Sequence, residues 1–243
     1  MPEQLALTRL LNAIFGGIIA SILHALGIAA NPATAISDAF AMELVVVCGL
    51  IVFFLLVRFS LSVEKPNPLQ HVAEILNEFI GGQAEQVIGH GYQRFQAWVT
   101  CIFLFVLLNN LMGLIPGVTT PTSSIIVPLG LATPTFLYYN IQGLREQGLI
   151  GYLKHFAGPI WWMAWLIFPI EIISHLARIL SLTVRLYANM FASDLITLVS
   201  FSGVPLGLPV LALGLHAFVS IIQAFVFTLL TMIYLSLAVA HDH

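Results

Sequence analysis

The chain has 243 residues, 59% of them hydrophobic and 8% charged, with a mean hydropathy of +0.99 and a formal net charge of -3. Soluble domains carry about 25% charged residues, so the composition excludes a soluble globular protein and predicts an all-α polytopic membrane protein. The small net charge and the absence of a basic block exclude nucleic acid as a partner. Cys48 and Cys101 lie far apart, each inside an apolar run, and read as small buried hydrophobes rather than a disulfide. None of the eight histidines sits in an HExxH or CxxC-type pattern, so no metal site and no cofactor are expected.

Residues 1–37 form an N-terminal segment open to three readings. Gln4, Thr8, Asn12 and Gly16 recur every fourth residue among Leu, Ile and Ala, the pattern of an amphipathic helix lying in the membrane interface. Arg9, the apolar run after it and Ala33-Thr34-Ala35 also resemble a signal peptide. The run at 10–30 is also long enough to span.

A membrane domain is expected over 38–243. Residues 42–61 make a span of the roughly 20 residues that a ~30 Å core requires, with Arg58 near its end free to snorkel. Asn67-Pro68 supplies an N-cap and an N1 proline for an in-plane amphipathic helix. Its apolar face is Leu69, Val72, Leu76, Phe79 and Ile80; Gln70, Glu74, Asn77 and Glu78 lie opposite. Residues 95–115 form the second span, ended by Pro116-Gly117. Asn109 and Asn110 near its far end should face other helices or water. Residues 124–141 form a third span, and 143–158 read as a loop holding Arg145 and Lys154.

The last two elements, 160–201 and 209–240, are about 63 Å and 48 Å long as helices. Neither stands upright in a core about 30 Å thick. No Gly or Pro interrupts 171–201, so two steeply tilted helices joined by a short turn at 202–205 are expected, rather than an extra upright span. That makes about five membrane helices after residue 41. Arg58, Lys65, Arg94, Arg145 and Lys154 all fall at the first and third connections. The positive charges therefore put the N-terminus outside and the C-terminus in the cytoplasm.

Within this apolar background the stretch 171–201 carries Glu171, His175, Arg178, Arg185 and Asp194. An arginine at the bilayer centre costs roughly 3 kcal/mol even on insertion scales, which marks Arg185 as functional. In an antiparallel hairpin centred near residue 204, Arg185 lies level with Gln223 and Asp194 with His216. Glu171, Arg178 and Arg185, spaced by seven, share one stripe, and Asp194 faces elsewhere. Arginine stays protonated, so Arg185 passes no proton on; it favours an ionised carboxylate opposite and blocks free protons. Asp194, His216 and Glu171 can exchange protons. This arrangement suits two unconnected half-channels, one open to each face. Blander readings stand beside it. Arg178 snorkels or pairs with Glu171, His216 is a satisfied core histidine, and Gln223 joins helices. His24, His155 and His175 are read as non-functional, and Tyr187, Phe191, Phe225 and Phe227 as packing.

Three segments carry a family likeness: RLYANMFASDL at 185–195, NNLMGLIPG at 109–117 and HAFVSIIQAFVFTLLTMIYLSLA at 216–238. With GLIGYLKHFAGP at 148–159, they resemble subunit a of the bacterial F-type ATP synthase. The likeness runs from about residue 38 to the end. It implies that Arg185 is the stator arginine facing the carboxylates of a rotating c-ring, with Gln223 opposite it. Asp194 and His216 would line the outer half-channel. Glu171 would lie on the cytoplasmic exit path, with Ser174 and Asn189 as polar lining. The family often has Glu where this chain has Asp194, one methylene shorter toward His216. Also implied are b-type peripheral stalk subunits as partners, protons rather than sodium as the coupling ion, and residence in the bacterial inner membrane. The chain lacks a GxxxxGK[ST] loop, so it is expected to bind no nucleotide and not to be the catalytic subunit. The rival class is a stand-alone secondary transporter gripping an anion on Arg185. No internal repeat supports it.

Overall fold

The computed structural model describes residues 5–25, 27, 31–62, 67–115, 118, 120–157, 164–203 and 207–239. The described residues form seven α-helices: α1 (Ala6–Ala25), α2 (Asp38–Phe59), α3 (Pro68–Ile88), α4 (Gln93–Leu111), α5 (Ile126–Ala157), α6 (Ala164–Gly203) and α7 (Leu208–Val239). Two 3-10 turns, Met112–Leu114 and Pro121–Ser123, lie between α4 and α5. Five helices are long and apolar enough to cross a membrane: α1, α2, α4 with the turn after it, α6 and α7. The protein is an all-α integral membrane protein. The predicted third span is helical within α5, but α5 is not among these five.

α7 is the hub, packed against α3, α4, α5 and α6. It buries His216, Ser220, Gln223, Thr228 and Thr231, and leaves Val210, Leu211, Leu215, Phe218 and Ile221 exposed. This polarity, inverted relative to a soluble protein, follows from the solvent. Lipid solvates apolar side chains as well as a core does, so helices associate through close packing and polar contacts. Thr228 and Thr231 donate to the Ala224 and Phe227 carbonyls at 2.8 and 2.9 Å, so neither hydroxyl is left unpaired.

Ends of helices follow their residues. Ser37 caps α2, its hydroxyl accepting from the Phe40 N–H at 3.3 Å, a cap worth about 1 kcal/mol. Pro68 takes the first turn of α3 as expected, although the Asn67 side chain makes no cap hydrogen bond. α6 runs unbroken for 40 residues, about 60 Å, so no extra upright span exists in it. α6 and α7 pair antiparallel: Arg185 meets Gln223, Met190 meets Ser220 and Ser193 meets His216. The connecting turn at 204–206 and the proline-glycine end of the second span lie outside the described residues.

Four expectations change. Residues 143–157, expected as loop, are helical within α5. Its one non-helical residue is Gly148, whose φ of 70° kinks the helix without ending it. The Thr8, Asn12 and Gly16 stripe does not face water; with Ala20 it is the buried face of α1. Asn12 clamps the Ile36 peptide, accepting its N–H at 2.9 Å and donating to its carbonyl at 3.1 Å. Gln70, assigned to the polar face of α3, is buried. Its amide accepts from the Ser62 N–H at 3.0 Å and donates to Glu74 at 2.8 Å, while Leu69, Val72 and Phe79 are exposed. Cys48 and Cys101 are exposed on the helix surfaces rather than buried.

Candidate functional site

The chain between α4 and α5 begins the first cluster. Residues 118–124 are polar between two apolar helices, and the Pro121–Ser123 turn is folded in against α2, α4, α5 and α6. Irregular backbone at such depth survives only where protein or a wet cavity satisfies it. Thr120 and Thr122 are both about 1% exposed. Thr122 donates to the Asn110 amide oxygen at 2.7 Å, and Thr120 donates to Asp194 Oδ1 at 2.7 Å. Asn110, buried as expected with Asn109, also donates to the Ser220 carbonyl at 3.4 Å.

His216 is fully buried at the centre of this cluster. Its Nε2 lies 3.0 Å from the Asn110 carbonyl, one of the carbonyls that the end of α4 leaves without a helical partner. A carbonyl only accepts, so Nε2 carries the proton and, in the neutral ring, Nδ1 is bare. That bare nitrogen accepts from the Ser193 hydroxyl at 2.8 Å. Asp194 Oδ1 stands 3.7 Å from the same Nδ1, beyond a hydrogen bond but within ion-pair reach once the ring is protonated. The short Asp194 side chain thus reaches Thr120 directly and His216 only electrostatically. Beside it opens a cavity of about 390 Å³, lined by Gly113, Ser123, Phe191, Asp194, Thr197 and Leu198 among others. Asp194 therefore stands between a cavity and a buried imidazole.

Gly113 is small because this cluster needs the space. A Cβ there would overlap the Thr120 hydroxyl and lie 2.7 Å from His216 Nε2. Overpacking of this kind costs about 1–3 kcal/mol. Gly113→Ala is accordingly expected to lower the melting temperature of the purified complex; an unchanged value would show that Thr120 and His216 give way.

About six turns earlier on α6 is the second cluster. Glu171 Oε1 lies 3.5 Å from His175 Nε2 and 3.8 Å from Arg178 Nη2. The pairing read for Arg178 with Glu171 is present, and the guanidinium also lies 5.3 Å from the centre of the Tyr234 ring. Ser174 is half-buried on the same helix. Between the clusters sits Arg185. Gln223 lies level with it, as the hairpin register predicts, but donates to its backbone carbonyl at 2.8 Å instead of flanking the guanidinium. The guanidinium points outward and makes no hydrogen bond or ion pair with the other described residues. Asn189, one turn on, is also exposed, as are the small residues Ser181, Ala188 and Ala192 on the same face. Tyr187 and Phe191 stack on each other at 5.6 Å, and Phe227 is buried, both consistent with packing roles.

The structure thus brings Asp194 and His216 together and Glu171 and Arg178 together. It leaves Arg185 and Asn189 apart on the outer face. Sequence reasoning missed Gly113, Thr120, Thr122, Ser193 and the surroundings of His175. The polar run at 118–124, between two apolar segments, was the one signal available for the threonines.

Comparison with known proteins follows the same residues. The ATP synthase A chain family matches over residues 39–236. The ATP synthase subunit a of Koribacter versatilis is 50% identical over the full length of both chains. That of Solibacter usitatus is 46% identical over 83% of this chain and 87% of its own. That of Bdellovibrio bacteriovorus is 42% identical over 72% and 76%. Both clusters and Arg185 lie inside the matched residues, and the chain belongs to the ATP synthase subunit a family.

Proposed function

We propose that this subunit is the proton-conducting stator of a rotary F-type ATP synthase, forming two offset half-channels separated by Arg185 against a ring of c subunits. The observation that carries the reading is the placement of Arg185. A membrane-embedded charge is expensive unless something faces it, and this one projects outward from a face of small residues where another helix can approach closely. A rotor helix bearing a carboxylate is the partner that answers both facts. A stand-alone transporter gripping an anion would enclose Arg185, whereas here it is exposed.

In this reading a proton enters through the cavity at Asp194, with His216 behind it, and neutralises a rotor carboxylate. The neutral group can turn into lipid at no Born cost. When it returns to Arg185 from the other side, the fixed positive charge favours ionisation. The released proton leaves past Glu171, with Ser174 and Asn189 as polar lining. Arg185 itself stays protonated and closes the direct route. The subunit is non-catalytic, binds no nucleotide, and is held by b-type stalk subunits in a bacterial inner membrane. Arg94 pairs with Glu146, and Gln147 donates to the Ala238 carbonyl. Both pairs gather the positively charged connections and the end of α7 on one side, which supports a cytoplasmic C-terminus.

Cysteine cross-linking tests the partner. Ala188→Cys, on the Arg185 face, is expected to form a disulfide with a cysteine placed beside the rotor carboxylate. Leu211→Cys, which lies on the outer surface of α7 near its start, serves as the comparison. Cross-linking equally from both, or from neither, would overturn the facing of Arg185 toward the ring.

A further inference from the structure

We propose that His175 is a proton-carrying residue at the inner cluster, taking the proton that Glu171 releases, and that Tyr139 positions it. The inference rests on the proton-path reading above and adds a second titratable group to it.

Three elements converge on this imidazole. On its own helix, Glu171 Oε1 is 3.5 Å from Nε2, and Arg178 reaches the same oxygen at 3.8 Å. From α5, the Tyr139 hydroxyl is 3.4 Å from Nδ1, and the Phe136 ring meets it edge-on at 6.1 Å. From α7, Tyr234 packs on Tyr139 at 5.8 Å and lies under Arg178. Tyr139 is 2% exposed, so its hydroxyl is fixed in place, while the His175 side chain keeps 12% exposure. A passive lipid-facing histidine would have neither a buried hydroxyl on one nitrogen nor a carboxylate on the other.

The hydroxyl is the informative partner, because it both donates and accepts. With Glu171 ionised, Nε2–H points to the carboxylate and bare Nδ1 accepts from Tyr139. With Glu171 protonated, Nε2 is bare and accepts the carboxyl proton, while Nδ1–H donates to the Tyr139 oxygen. Either tautomer keeps the ring in the same position. Transfer breaks the Glu171 O–H bond and forms Nε2–H, leaving carboxylate and imidazolium. The imidazolium then loses its Nδ1 proton to water reaching the 12%-exposed side chain, which breaks Nδ1–H and leaves the neutral Nε2–H ring. Arg178, 3.8 Å from the same carboxylate oxygen, keeps a fixed positive charge at the cluster throughout the step. His216, in contrast, has Nε2 committed to a backbone carbonyl that can only accept, so its tautomer is fixed.

The test is ATP-driven proton pumping by the assembled complex in membrane vesicles, measured from pH 5 to 8, the range in which imidazole titrates. His175→Gln is expected to slow pumping by about tenfold or more and to flatten the pH profile across that range. Tyr139→Phe, which keeps the packing and removes the hydroxyl, is expected to slow pumping while the pH step remains. A wild-type rate in His175→Gln would overturn the proposal. So would a uniform slowing with the pH profile unchanged, the mark of a packing residue. If His175→Gln does not assemble, a wild-type rate in Tyr139→Phe overturns the positioning. Glu171→Gln separates the underlying reading: if it pumps normally, the exit path itself is elsewhere.

Discussion

Replacing Arg185 with alanine is expected to abolish ATP-driven proton pumping, a fall of at least about a hundredfold, while passive leak down an imposed gradient is kept or rises. The two readouts separate a barrier from a conduit. A residue that carried protons would lose both when removed. A fixed charge that keeps two cavities apart loses the coupling and leaves the water paths intact. Arg185 has the placement for the second role: exposed, without a partner among the described residues, and level with Gln223, which grips its backbone rather than its side chain. Arg185→Lys is expected to restore little, because a desolvated ammonium can lose its proton and guanidinium does not. Pumping that survives in Arg185→Ala would remove the central claim.

Asp194→Asn is the second large effect. The amide oxygen can still accept from Thr120, so the cluster keeps its shape and the complex is expected to assemble. The charge is gone, however, and an amide neither binds nor releases a proton in this range. Proton uptake is therefore expected to slow by about tenfold or more, measured as pumping at matched amounts of complex. An unchanged rate would count against a channel role for the cavity beside it. Asp194→Glu lengthens the side chain toward His216 Nδ1, now 3.7 Å away, and is expected to retain pumping.

What the residues made legible was set by length and by cost. The length of α6 follows from the run 171–201, which has no Gly or Pro, and the register of α6 on α7 follows once the two are folded back on each other. Arg185 stood out because its burial in lipid is expensive. Two of the failures share a physical source. Alternation of polar and apolar residues reports which side chains avoid lipid, but not whether they go to water or to protein. Thr8, Asn12 and Gly16 were read as the polar stripe of an interfacial helix and are buried, with Asn12 on the Ile36 peptide; Gln70 was read on the polar face of α3 and clamps the Ser62 peptide. Ser193 carries no distinguishing signal and Thr120 only that of the polar run at 118–124, because they become part of a site only when α4, α6, α7 and the irregular connection meet. The segment 143–157 was misread because its glycines, the usual marks of a loop, sit inside a helix that merely kinks at Gly148.

The unbroken length of α6 bears on how such a subunit can change over generations. Glu171, Arg185 and Asp194 are carried on one continuous helix, with no loop between them to take up slack. Adding or deleting a single residue there would turn one end against the other by about 100° and shift it by about 1.5 Å. Every contact on one side of the change would then face the wrong neighbour. Variation within 171–194 is thereby confined to exchange of side chains. Gain or loss of residues is left to the chain before α2 and to the connections between helices.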